Sequence, residues 1–142
     1  MENISKNAAA NTVSAAHQLD PSKYVRITGK PGAKLKLLFV GNSITRHMPL
    51  PSIGWEGDWG MAASCEANDY VHQTVRLLEE KLGEPVNFCV AQAAEWERRY
   101  DESEKPLEEY YLPARDYKAD IVIIRIGENI NREKDKLNPC RE

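Results

Sequence analysis

The stretch that decides the fold runs from Leu35 to Thr45 and reads LKLLFVGNSIT. Its apolar first half is typical of a buried strand in a parallel sheet. Gly41 has no Cβ and permits a sharp turn directly after this strand. Ser43 therefore stands at the carboxyl end of the strand, where open α/β sheets place their ligands. A serine in that position is a nucleophile, a phosphate ligand or a turn residue.

The composition narrows the class of protein. With 142 residues, 42% hydrophobic and 29% charged, the chain has the composition of one globular domain. A net charge of -3 with interspersed signs argues against a nucleic-acid partner, and no apolar run is long enough to predict a membrane span. Cys65, Cys89 and Cys140 form no C-x-x-C pair. They favour a reducing, cytoplasmic location without disulfides, and no cofactor or metal is expected.

Residues 1–22 are polar and rich in Asn and Ala, without the features of a signal peptide. We expect them to form a disordered or extended arm, followed by an α/β domain over residues 23–142. Within that domain, the alternation of apolar and polar residues from Tyr24 to Thr28 predicts a short edge strand. Two further strands are predicted from Val86 to Val90 and over residues 120–126.

Three helices are predicted between these strands. Asn68 or Asp69 caps the first, which carries an apolar stripe and ends at Gly83. The stripe consists of Val71, Val75, Leu78 and Leu82. The others are predicted from Glu95 to Tyr100 and from Pro106 to Tyr117, and we expect their many charges to be solvated. The segment from His47 to Cys65 holds prolines, glycines and two tryptophans, so it is predicted to be a loop without helix or strand. Its tryptophans are expected either to line a pocket or to anchor the loop.

We number the parallel strands in chain order and leave out the edge strand: the strand that starts at Leu35 is the first, the strand from Val86 the second, and the strand over residues 120–126 the third. The alternation of strands and helices predicts a three-layer, flavodoxin-like parallel sheet with the strand order 2-1-3. In this order, Ser43 after the first strand and Asn129 after the third become neighbours across the cleft. The serine can attack a carbonyl group, and the amide can donate to the oxyanion that forms. The pattern therefore predicts an acyl-transfer site.

The sequences from Leu38 to Thr45 and from Asp120 to Asn129 resemble the first and third conserved blocks of the SGNH (GDSL-like) hydrolases. The segment from Gly54 to Ser64 resembles one bacterial branch of them. The resemblance covers residues 25–131. It implies esterase activity on a small or carbohydrate-linked ester, with Ser43 as nucleophile and Asn129 as oxyanion donor. Weaker candidates for oxyanion or substrate contact are Asn42, Trp59, Gly60, Ala94 and Glu128.

Two departures from the family pattern concern the catalytic machinery. The second block normally supplies a glycine N–H, and here only Ala93 or Ala94 could replace it. The family's last block, Asp-x-x-His, supplies the general base, but Asp135 is followed three positions later by Asn138. We therefore expect the chain to be the front portion of such a hydrolase, with later strands missing and activity impaired.

Three alternatives stay open at this point. His47, four residues after Ser43, could serve as a substitute base, whereas His72 is expected to be an ordinary boundary residue. The chain could instead be a catalytically silent partial domain that binds a ligand or associates with itself through an open sheet edge. The turn after the first strand also resembles a flavodoxin phosphate loop, which would imply flavin or phosphate binding.

Overall fold

A single mixed sheet of four strands organises the structure, a computed structural model that describes residues 23–100 and 107–130. The strands are β1 (Val25–Thr28), β2 (Leu35–Gly41), β3 (Val86–Gln92) and β4 (Ile121–Arg125). Their spatial order is β1-β3-β2-β4. The predicted α/β class is thus confirmed, as is the short strand at one edge.

The predicted central strand, β2, lies between two parallel neighbours. It pairs with β3 along its whole length and with β4 from Leu37 onward, while β1 runs antiparallel to β3. Gly41 lies opposite Arg125 of β4 and Gln92 of β3. Because all three parallel strands end at this level, the residues that follow them meet at the carboxyl end of the sheet.

Helix α1 (Tyr70–Leu82) covers one face of the sheet. Asp69 caps it by accepting a hydrogen bond from the backbone N–H of His72, and Gly83 ends it in the left-handed conformation. Its buried valines pack against the alternate apolar side chains of β2 and β3. This core cluster consists of Leu37, Phe39, Val71, Val75, Val86, Phe88 and Val90. The predicted helix and caps are confirmed, except that Leu82 at the end of the stripe is exposed.

The opposite face carries three short helices, α2 (Ala94–Arg99), α3 (Leu107–Tyr110) and α4 (Leu112–Asp116). Ala114 of α4 belongs to a second buried cluster with residues of β1 and β3. The single helix predicted from Pro106 was wrong, because Tyr111 interrupts the helical backbone between α3 and α4. Pro113 then lies in the first turn of a new helix, where its missing N–H costs nothing.

The long loop after β2 is mostly irregular, as predicted, but it contains one 3-10 turn (Pro51–Ile53) and two isolated bridges. One bridge joins His47 to Trp59, and the other joins Leu50 to Trp55. A second 3-10 turn (Glu66–Asn68) leads into α1. The prediction that the loop excludes helix was therefore too strict.

Strand β4 forms the other edge of the sheet in the described part of the chain. Ile121, Val122 and Ile124 are exposed at 46%, 51% and 64%. A run of this kind usually lies inside a sheet, and here one side of it is open to solvent. Across the described residues, we find no helix with the length and apolar character of a membrane span.

Candidate active site

The side chain of Glu97 joins two corners of the sheet: the turn after β2 that carries Ser43, and the turn after β4 that carries Asn129. The sequence predicts that these two corners lie close together. Glu97 lies on α2 and is completely buried. Its carboxylate accepts hydrogen bonds from Asn42 Nδ2 (3.3 and 3.4 Å), from the backbone N–H of Gly127, and from Asn129 Nδ2 (2.5 Å). Asn42 follows β2, whereas Gly127 and Asn129 follow β4. One buried acid thus ties the ends of both strands together.

The sequence reasoning missed Glu97, because it treated the charges of this helix as solvated. That expectation was wrong for Glu97. The signal lies in its position, since α2 begins two residues after the buried strand β3 and Ala94 and Glu97 are the buried residues of the helix. A buried carboxylate requires donors, and the four donor contacts here come from chain segments 30 to 55 residues away.

Ser43 lies in a tight turn that its neighbours hold rigidly. The N–H groups of Thr45 and Arg46 donate to the Asn42 carbonyl oxygen at 2.9 and 3.1 Å. The Ser43 carbonyl oxygen accepts from Met61 at 2.9 Å. The residue is half-buried, and within residues 23–100 and 107–130 its hydroxyl and its N–H have no hydrogen-bond partner. Both groups are therefore available to a bound molecule.

Asn129 is half-buried and uses one of its two amide protons in the bond to Glu97. Its second amide proton has no acceptor within the described ranges. The structure does not join Asn129 to Ser43 by a direct hydrogen bond. The connection between them runs through Glu97 and Asn42.

The other polar candidates at these corners bind one another. Asn42 is buried, and its amide nitrogen donates both to Glu97 and to Glu128, while its Oδ1 accepts from the N–H of Ile44 at 3.1 Å. Glu128 also forms an ion pair with Arg125 at 2.7 Å. The hydrogen bond from Asn42, helped by the charge of Arg125, holds the pKa of Glu128 below its usual value. Asn42 therefore has a structural role in fixing the turn, with no amide proton left for an oxyanion.

The backbone N–H groups considered as replacements for the family's glycine are both engaged. The N–H of Ala93 donates to the Gly41 carbonyl oxygen at 2.5 Å. The N–H of Ala94 donates to Gln92 Oε1 at 3.2 Å. Both alanines are buried. In this structure neither amide is open to an oxyanion.

Trp59 and Gly60 anchor the long loop beneath the Ser43 turn. Trp59 Nε1 donates to the Ala63 carbonyl oxygen at 3.1 Å, and its ring meets that of Trp55 edge to face. The N–H of Gly60 donates to Asp69 Oδ2 at 3.2 Å. Trp59 lines a crevice of about 10 Å³, which is too small for an ester substrate. Of the two expected roles, anchoring is the one the geometry supports.

His47 faces a cleft of about 260 Å³ beside the Ser43 turn. The cleft is lined by Lys23, Tyr24, His47, Met48, Pro49, Leu50, Gln92, Glu95 and Arg98. His47 Nδ1 donates a hydrogen bond to the carbonyl oxygen of Met48 at 2.6 Å. Ser43 is not among the residues that line the cleft, and the substitute dyad has no hydrogen bond here.

Asp69 and His72 have the Asp-x-x-His spacing of the family's last block, but we did not predict a catalytic role for them from the sequence. Asp69 Oδ1 accepts from both the backbone N–H and Nδ1 of His72 at 2.8 Å. Burial raises the pKa of Asp69, but the hydrogen bonds from His72 and Gly60 outweigh it and hold that pKa below its usual value. The His72 ring packs on Phe88, in the layer of α1. This pair caps a helix, and in the described part of the chain neither residue forms a hydrogen bond with Ser43.

Neither a metal site among the described residues nor a known protein identifies the function of this chain. No group of three or more His, Cys, Asp or Glu side chains in the described ranges could hold a metal ion. Searches against family models, curated proteins and solved structures found no match to this chain. The assignment to the SGNH hydrolases therefore stays a prediction from the sequence.

Proposed function

We propose that the chain is a serine ester hydrolase of the SGNH class, in which Ser43 is the nucleophile and Asn129 an oxyanion donor. The proposal includes a flavodoxin-like, three-layer arrangement of the complete sheet. One observation carries it: the corners bearing Ser43 and Asn129 are bound to the same buried carboxylate. The free hydroxyl of Ser43 and the free amide proton of Asn129 further support it.

The proposed reaction is an acyl transfer in two stages. Ser43 Oγ attacks the ester carbonyl carbon, and its proton passes to solvent water, because the described residues present no base bonded to it. The resulting oxyanion accepts hydrogen bonds from the Asn129 amide and from the Ser43 N–H. The C–O bond to the alcohol breaks, and the alcohol leaves with a proton. Water then hydrolyses the acyl-serine to release the acid. One such donor contributes about 3 kcal/mol to transition-state stabilisation.

The proposal includes low activity, because the described residues present no base hydrogen-bonded to Ser43. His72 is bound to Asp69, and His47 faces the neighbouring cleft. Loss of triad members typically leaves about 10³–10⁴-fold catalysis over water. A cytoplasmic location belongs to the same proposal, since Cys65 and Cys89 are both free.

A fluorophosphonate probe tests the proposal directly. Attack by Ser43 Oγ on phosphorus displaces fluoride and leaves a phosphonyl group that mass spectrometry locates. We expect the adduct on Ser43, and we expect it to disappear in Ser43→Ala. The matched control is Ser52→Ala, which removes an exposed loop hydroxyl and should leave labelling unchanged. A folded wild-type protein that takes no label on Ser43 would overturn the proposal.

The open edge of β4 favours a second candidate, an interaction module without catalytic activity. Three isoleucine or valine side chains of that strand are exposed, and unpaired strand edges bind other strands readily. Under this reading, β4 pairs with another copy of the chain. Sedimentation velocity at several concentrations tests it, and a strictly monomeric, cooperatively folded protein would contradict it.

A further inference from the structure

We infer that Glu97 is a positioning residue, which sets the orientation of the Asn129 amide that faces the oxyanion. The inference rests on the proposed function. It identifies a residue that no sequence block pointed to. Three properties of Glu97 carry it: complete burial, a short contact to Asn129, and bonds to both strand corners.

The chemistry of the two groups makes the orientation one-sided. An ionised carboxylate has only acceptors, so it binds the NH₂ side of an asparagine amide and rejects the carbonyl side. With one proton of Asn129 Nδ2 held by Glu97 at 2.5 Å, the second proton must point away from Glu97. Glu97 thereby decides which atom of Asn129 a substrate would meet.

The carboxylate of Glu97 also holds the backbone of the turn that contains Asn129. The backbone N–H of Gly127 donates to Glu97 Oε1, two residues before Asn129. Gly127 has a φ of 127°, which is a conformation available chiefly to glycine. The bond therefore holds an otherwise adaptable turn in one conformation. Both the turn and the side chain of Asn129 depend on Glu97.

Glutamine at position 97 is the informative substitution. Glu97→Gln keeps the size of the side chain, but its NH₂ can donate to Asn129 Oδ1 and so favours the flipped amide. The flipped amide turns its carbonyl oxygen, instead of its NH₂ group, towards the oxyanion, and the two oxygens repel each other. We therefore expect the rate of Ser43 labelling by the fluorophosphonate to fall by about 100-fold. The matched control is Glu80→Gln, an exposed glutamate paired with Arg76, which should leave the rate unchanged.

A double-mutant comparison separates positioning from a general loss of structure. Asn129→Ala alone should slow labelling, and adding Glu97→Gln to it should change the rate by less than about 3-fold, because the residue that Glu97 orients is gone. Equal fold-losses from Glu97→Gln in both backgrounds would overturn the inference. Equal labelling of wild type and Glu97→Gln would overturn it as well.

A spectroscopic readout keeps the test independent of activity. In the full-length chain, we expect one side-chain amide proton of Asn129 to resonate downfield and to exchange slowly, and we expect Glu97→Gln to abolish both features. A wild-type amide with ordinary shifts and fast exchange would overturn the inference, whatever the labelling shows. If the amide behaves as expected but wild-type Ser43 takes no label, the proposed function falls, and the positioning role falls with it.

Discussion

Gly60 packs so closely on Ile44 that a Cβ atom added to it would lie 2.1 Å from the Ile44 carbonyl oxygen. Ile44 belongs to the turn that carries Ser43, and the next residue of the loop, Met61, donates to the Ser43 carbonyl oxygen. The loop therefore supports the turn by backbone contact, and the contact requires glycine. This role differs from the substrate contact considered from the sequence.

We expect Gly60→Ala to lower the free energy of unfolding by about 1–3 kcal/mol, because the added methyl group must push the Ser43 turn away. Urea denaturation monitored by tryptophan fluorescence measures this. Gly29→Ala is the control, since the nearest atom to its added Cβ would be Asn87 Oδ1 at 4.0 Å. Equal stability of Gly60→Ala and wild type would show that the contact is not as tight as described.

The charge of Asp69 should contribute stability that depends on pH. Its pKa in the folded protein lies below the ordinary value of 3.8, so the folded state binds the proton more weakly than the unfolded state does. The contribution is therefore complete above the unfolded pKa and is lost as the pH falls through the folded one. Asp69→Asn keeps a capping oxygen and removes the charge.

We expect Asp69→Asn to unfold at lower urea than wild type at pH 5.5, with a gap that narrows as the pH is lowered below 3.8. Urea titrations between pH 3 and 5.5 measure the gap. Asp116→Asn, at an exposed position of α4, serves as the control and should follow wild type throughout. A gap that widened towards low pH would have the wrong sign for this explanation.

The sequence predicted those parts of the fold that local pattern decides. The apolar run of β2, the stripe of α1, the Asp69 cap and the Gly83 stop all depend on residues within one or two turns of one another. The break at Tyr111 was missed, because a proline in the first turn of a helix and a proline inside a longer one look alike in a charged segment.

The candidate site could be predicted from the sequence only in outline, because part of it depends on contacts between residues far apart in the chain. Ser43 and Asn129 each follow an apolar strand, so their position at one sheet edge follows from topology. Glu97 looks like any other acid on a charged helix, and its burial depends on donors from Asn42, Gly127 and Asn129. Sequence spacing places Glu97 close to the end of β3, but it does not show which donors from distant chain segments meet its carboxylate.

The two described cysteines should differ sharply in reactivity. Cys89 is fully buried on β3, and burial raises the pKa of its thiol to about 12. Because the thiolate is the reactive form, this raised pKa should make Cys89 slow to react at pH 8. We expect iodoacetamide to modify Cys65 first in the native protein, as measured by peptide mapping. In denaturing urea both should react, and a native Cys89 that reacts as fast as Cys65 would contradict its burial.

The exposed edge of β4 gives the last prediction. Ile124 is 64% exposed, so replacing it by lysine should change the free energy of unfolding by less than about 0.5 kcal/mol. A charge on an open edge opposes strand pairing, so Ile124→Lys should reduce any concentration-dependent association seen for wild type in sedimentation velocity. Leu77→Lys makes the same change at an exposed position of α1 and should leave association intact. If both variants weaken association equally, the contact depends on general hydrophobicity and does not run through β4.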